Sequence, residues 1–235
     1  YVEALEIKLA DIGVGRIATL CGRFFAMDKS GNWERTARAF TMLAHGEGER
    51  AQDAVAAVRN SFLRGISDEF ISPIVLEKEM DVPVARVKNG DLVIFFNHRG
   101  DAIRQLVRSL SVADGSGGSK PVIDTVCLTE YDPAFDLPCA FAAVGERNSL
   151  AEVLRSHEVP HTKITESSRS THLTHFFDGG TDEVTPADDI IVPDTADAIG
   201  ELRPESQSFR ITDLVRRQIE SSPNRVFVVN IPAAD

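Results

Sequence analysis

The sequence predicts an α/β fold, a layered sheet with flanking helices, set out in two segments. Two observations carry that prediction. Strand-length apolar runs alternate with helix-like patterns along most of the 235 residues, the order of elements that builds a substantially parallel sheet. The alternation then breaks near residues 143–148, where Gly145 and Asn148 interrupt it, so residues 1–143 and 144–235 are taken as separate segments. A chain of this length can bury one large core or two modest ones, since domains run to about 100–200 residues.

Taken in order, residues 2–10 read as the end of an amphipathic helix that stops near Gly13 and Gly15, and residues 16–21 as a short strand. Residues 33–44 and 51–63 have helical apolar spacing, with Gly46-Glu47-Gly48 as the break between them. Residues 73–76 and 82–87 read as extended, 91–96 as a buried strand and 101–110 as a helix. The Gly/Ser-rich tract 114–119 reads as a flexible loop tip. Strands follow at 122–128 and 140–144. In the second segment we expect a helix at 149–156 and strands at 161–164, 174–177, 190–192 and 225–231. Gly179-Gly180 is expected to turn, 181–189 to be a solvated loop and 211–219 a helix.

Composition narrows the function. Hydrophobic residues make up 43% and charged residues 26%, ordinary for a folded globular chain and unlike a disordered one. No apolar run approaches the roughly 20 residues that span a bilayer. The net charge of −11 argues against nucleic-acid or anionic-membrane partners, which need a positive field. Among the cations, 19 are Arg and 6 are Lys. Guanidinium forks match phosphate and carboxylate, so an acidic chain rich in Arg can still hold a small anion locally. Cys21, Cys127 and Cys139 offer neither a disulfide framework nor zinc spacing. Their apolar neighbours point to buried thiols in a reducing compartment, hence a cytoplasmic setting. Nothing in residues 1–10 reads as a secretory signal. A first residue of Tyr leads us to expect that upstream sequence was removed or left out, an organellar presequence being one form of it.

Two strings sit where α/β sheets bind ligands, in the loops after strands, and a third forms a polar, turn-rich connection. The first is Cys21-Gly22-Arg23-Phe24-Phe25-Ala26-Met27-Asp28, the second Phe95-Phe96-Asn97-His98-Arg99-Gly100-Asp101. The third runs from Ile164-Thr165-Glu166-Ser167-Ser168-Arg169 to Phe176-Phe177-Asp178-Gly179-Gly180. The six histidines show no metal-binding pattern; His98 and His172 are expected to be structural, and His172 and His175 to face opposite ways along an extended segment.

Together with Ile17-Ala18-Thr19-Leu20, Trp33-Glu34-Arg35, Gly65-Ile66-Ser67-Asp68-Glu69-Phe70 and Leu150-Ala151-Glu152-Val153-Leu154, these strings in this order resemble the cofactor-independent phosphoglycerate mutases of the alkaline-phosphatase superfamily. The resemblance implies that residues 1–143 are most of a substrate-binding insert domain, incomplete at its N-terminus. Residues 144–235 would be part of an alkaline-phosphatase-like metal domain. It also implies an isomerase that moves a phosphoryl group between the 2- and 3-positions of phosphoglycerate through a phosphoserine. An intact parent would carry two manganese ions; this chain would hold no cofactor of its own.

Position by position, Arg23 falls on a substrate-binding arginine of that family and Lys29 on a second, keeping the charge without the planar fork. Arg99 falls on the first arginine of an Asn-Phe-Arg-x-Asp-Arg motif, whose second arginine becomes Ala102. Arg104 would then have to reach over from another helix face. The family's Glu-Thr-Glu-Lys string reads Glu166-Ser167-Ser168-Arg169, so Arg169 stands for the phosphoryl-contacting lysine and Ser168 has lost a carboxylate. The serine nucleophile and the metal ligands would lie outside this chain, leaving it inactive alone. Two further readings stay open. In one, the substitutions mark a degenerate relative that serves as a structural or interaction subunit beside other proteins. In the other, a mutase relative is retuned to another phosphorylated or phosphonate acid.

Overall fold

A computed structural model describes residues 1–112, 120–142, 148–179, 188–192, 204–222 and 225–231. The chain divides into two compact units, Tyr1–Ala142 and Ala143–Asp235.

The first unit opens with α1 (Val2–Ile12), closed by a left-handed Gly13. Then come β1 (Thr19–Leu20), the single-turn α2 (Arg23–Ala26) and α3 (Trp33–His45). The side chain of Asn32 accepts from the Arg35 amide to start α3, and Gly46 ends it in the left-handed region. The strand β2 (Glu49–Ala51) and α4 (Ala54–Leu63) follow, the latter capped by Asp53 at 2.7 Å from the Ala56 amide. Further along are β3 (Ile74–Glu79), β4 (Val82–Pro83), β5 (Leu92–Phe95), α5 (Gly100–Ser111), β6 (Asp124–Thr129) and β7 (Cys139–Phe141).

These strands form two sheets. In one, β3 pairs antiparallel with β1 and β4 and parallel with β2. In the other, β5, β6 and β7 are all parallel, and α5 supplies the crossover that a parallel pair requires. Ile103, Leu106, Val107 and Leu110 on one side of α5 pack with Phe95, Cys127, Phe25 and Ala39 in the larger core. Ile71, Ile74 and Leu76 with Ala54 and Ala57 form a second core.

The second unit contains α6 (Leu150–Ser156), β8 (His161–Glu166), β9 (Asp188–Val192), α7 (Pro204–Ser221) and β10 (Val226–Val229). Its sheet is parallel with β8 in the centre, between β10 and β9. Every residue of β8 is buried, as expected of a central parallel strand. Ile164, Val192 and Ile211 are the middle of this core.

The α/β class and the flanking helices follow the sequence; several details do not. Of residues 174–177, expected as a strand, 174–176 lie instead in a π-helical turn, His172–Phe176, and Phe177 follows as its C-terminal cap. His172 and His175 therefore do not point to opposite faces of a strand, and both rings pack on Phe176, at 5.9 and 5.3 Å. The helix expected at 51–63 starts only at Ala54, because residues 49–51 are taken by β2, which β3 pairs. The strand at 16–21 is cut to Thr19–Leu20, the extended run 82–87 to Val82–Pro83, and the helix at 211–219 lengthens to Pro204–Ser221. The expected 114–119 loop tip lies outside the described residues, as do Gly180 and residues 181–187 of the expected solvated loop.

Candidate functional site

Gly22 sets the position of the first candidate. Its amide donates to the Ile71 carbonyl at 2.8 Å, and a Cβ on it would lie 2.1 Å from the Glu69 carbonyl oxygen. Only glycine lets the two backbones pass this closely. The crossing lays Arg23, the first residue of α2, on the short turn Asp68–Phe70, where Nη2 donates to Glu69 Oε2 at 2.7 Å and Nη1 stands 4.0 Å from Asp68. Phe24, next in the chain, packs on Phe70 and lies under the Arg35 guanidinium, 3.7 Å from its ring centroid.

The loop after α2 is pinned by a buried carboxylate. Asp28 accepts from the Asn32 amide (2.8 Å), Ser30 Oγ (2.9 Å), Arg35 Nη1 (3.2 Å) and Gln105 Nε2 (2.8 Å), and the same Gln105 amide also donates to the Asp28 carbonyl. Burial works against its charge, but the bonds from Gln105, Ser30 and Asn32 and the Arg35 charge outweigh that, holding its pKa below the usual carboxylate value. Because Gln105 belongs to α5, this network ties the 28–32 loop to that helix.

Lys29 thereby reaches the start of α5. Its Nζ lies 3.2 Å from Asp101 Oδ2, and Arg99 clasps the same carboxylate with Nε at 3.2 Å and Nη2 at 2.9 Å. Asp101 is only 11% exposed at its side chain and sits in the first turn of α5, where the helix dipole favours an anion. Burial again opposes the charge, yet the Arg99 bonds and the Lys29 ammonium hold the Asp101 pKa below its ordinary value. The 96–99 loop that carries Arg99 is fixed from β6's side: Tyr131 shares its hydroxyl proton between the carbonyls of Phe95 (3.0 Å) and Asn97 (2.7 Å). A Cβ on Gly100 would come within 3.1 Å of the Tyr131 Cα, so a small residue is needed there too.

Lys29, Asp101, Arg104, Arg108, Trp33 and Asp132 line one cleft of about 240 Å³. Arg104 stands 3.8 Å from Asp132, and the Arg108 guanidinium lies 5.9 Å from the Trp33 ring centroid. In the second unit, Arg169 Nε donates to Glu166 Oε1 at 3.2 Å. Nearby, the Lys163 ammonium is buried and donates to both oxygens of Asp178 at 2.8 Å.

Of the five sequence candidates, the structure gathers Lys29 and Arg99 on Asp101, and Arg104 faces the same cleft as Lys29. Arg23 is held on Glu69, and Arg169 belongs to the second unit. Ala102 is buried at 7% exposure, so no side chain from that position reaches the cleft in place of an arginine. Sequence reasoning did not single out Asp28, Asp101, Gln105, Asp132 or Tyr131. For Asp101 two signals were available: the aspartate of the Asn-Phe-Arg-x-Asp-Arg motif falls on it, and an acidic residue at a helix start is favoured by the helix dipole.

These features define a class first: an α/β protein that sets cations, held on carboxylates, at the ends of strand–helix units. A family model described as "BPG-independent PGAM N-terminus" matches residues 1–133. The chain belongs to the BPG-independent phosphoglycerate mutase family. Relatives named 2,3-bisphosphoglycerate-independent phosphoglycerate mutase include those of Desulforudis audaxviator (40% identical over 94% of this chain and 44% of the relative), Moorella thermoacetica (37%, 94% and 44%) and Clostridium perfringens (33%, 100% and 46%). The chain thus spans about half the length of the curated relatives it matches. A crystal structure of Leishmania mexicana phosphoglycerate mutase at low cobalt concentration shares the fold, with a TM-score of 0.80 and 22% identity over 98% of this chain and 44% of that one.

Proposed function

We propose that this chain is the substrate-holding part of a phosphoglycerate mutase that interconverts 2- and 3-phosphoglycerate through a phosphoserine intermediate. The observation that carries the reading is the set of cations at the start of α5, found in a chain of this family. Phosphoglycerate has two anionic heads, a phosphate and a carboxylate. Two or more cations at fixed spacing recognise such a ligand and orient it for in-line transfer, which is most of what catalysis of phosphoryl transfer needs.

In the proposed complex, Lys29, Arg99 and Arg104 exchange part of their carboxylate contacts for ligand oxygens, and Arg23, in the same unit, supplies a further charge-assisted bond. The serine nucleophile lies outside this chain. The two manganese ions expected in an intact parent would offset phosphoryl charge when bound. Among the described residues no three His, Cys, Asp or Glu side chains gather to hold a metal ion. We place the protein in the cytoplasm and in glycolysis on the same reading. Among the described residues no helix is long and apolar enough to cross a membrane.

Ala102, buried where the family pattern has its second arginine, favours the rival reading of a degenerate subunit that works through protein partners. Calorimetric titration with 3-phosphoglycerate separates the two. Binding by the wild-type chain, weakened at least tenfold in Lys29→Ala and in Arg23→Ala, supports the clamp. No heat from the wild-type chain refutes it.

A further inference from the structure

Lys29 and Arg99 come from different elements, a loop after α2 and the residue before α5, yet both end on one carboxylate. Both side chains are long and rotamer-rich, and each left to itself would have to be ordered when an anion arrives. Asp101 has little freedom of its own: it is largely buried, lies in the first turn of α5, and α5 is anchored to the 28–32 loop through Gln105 and Asp28. We propose that Asp101 is a positioning residue that fixes the spacing of Lys29 and Arg99, and so makes the site prefer a two-headed anion over a single one. The inference rests on the reading that these cations hold phosphoglycerate.

Simple charge bookkeeping predicts the opposite sign. A carboxylate beside an anion site repels the ligand, so removing its charge should tighten binding of any anion. Under the positioning role, Asp101→Asn keeps the shape but removes the charge that draws Lys29 and Arg99 to one point, so their spacing is no longer fixed. A ligand that must meet both at once then binds more weakly, by about tenfold, the cost of immobilising two long side chains. Inorganic phosphate, which needs only one cation, loses nothing or gains.

The test is paired calorimetry of the wild-type chain and Asp101→Asn with 3-phosphoglycerate and with inorganic phosphate. The expected result is a tenfold fall in the ratio of 3-phosphoglycerate to phosphate affinity in the variant. Asp101→Glu, which keeps the charge but moves it by one methylene, should show the same loss of preference, and it replaces Asp101→Asn if that variant melts below the titration temperature. Unchanged or tighter 3-phosphoglycerate binding in the variant, or an unchanged ratio of the two affinities, overturns the inference alone. Failure of the wild-type chain to bind 3-phosphoglycerate overturns the proposed function and the inference with it.

Discussion

At the scale of single residues, two carboxylates organise the first unit's polar chemistry, and Asp28 is the more deeply committed. It is 5% exposed and takes bonds from four different residues. Asp28→Ala leaves the Arg35 guanidinium and three donors without their acceptor, and should cost about 3 kcal/mol in urea unfolding at pH 7. The pH dependence has a definite sign. A carboxylate whose folded pKa lies below its unfolded value stabilises the fold above that unfolded value. Its contribution is lost as pH falls through the folded pKa. For Asp28 the ordinary value is 3.8, so the loss falls below about pH 4, and Asp28→Asn should flatten that acid limb relative to wild type. An acid limb of equal steepness in both proteins would show that Asp28 is not its source. The Cys21 thiol behaves in the opposite sense: burial pushes it up to about 12, which keeps it protonated and unreactive at neutral pH.

At the scale of elements, backbone crossings matter as much as side chains. Gly22→Ala would drive a methyl into the Glu69 carbonyl at 2.1 Å, and the partner atom is backbone that cannot swing aside. The expected outcome is a loss of about 2–3 kcal/mol, together with weaker anion binding as Arg23 is lifted off its turn. Thermal unfolding and calorimetry on the same variant check both, and an unperturbed melting temperature would contradict the crossing. This scale also shows what could be read from the residues beforehand. The strand at β5 and the helix at α5 were legible because their apolar periods are clean. The short strand β2 was not, since Glu49-Arg50-Ala51 carries no strand pattern and exists because β3 offers it a partner. The π-helical turn was misread because Leu173, Phe176 and Phe177 fit an apolar run of either kind, and only tertiary contacts choose. The cations of the site were legible as candidates, since charged loops after strands invite that reading. Their carboxylate partners were not, because Asp101 and Lys29 meet only after α3 and α5 have packed.

At the scale of the whole molecule, each unit builds its core from its own residues. Ile211 is fully buried in the second unit's core, and Ile211→Ala should cost about 2–5 kcal/mol there. Hydrogen exchange should then quicken in β8 and α7 while the amides of β5, β6 and α5 keep their protection. Uniform acceleration throughout the chain would mean that the units unfold as one. The net charge of −11 frames the site at this scale too. Local cations must draw an anionic ligand against a repulsive overall field, so moderate salt should weaken binding less than it would for a basic protein.

The contact between Arg23 and Glu69 joins positions 46 apart in the chain, and the Gly22 amide closes the same loop on Ile71. Closing so long a loop carries an entropic cost that local helices do not bear. The arginine's seat should therefore be a late acquisition in folding: α3 and α4 can form from nearby residues, whereas the guanidinium meets its carboxylate only when the intervening chain has folded back.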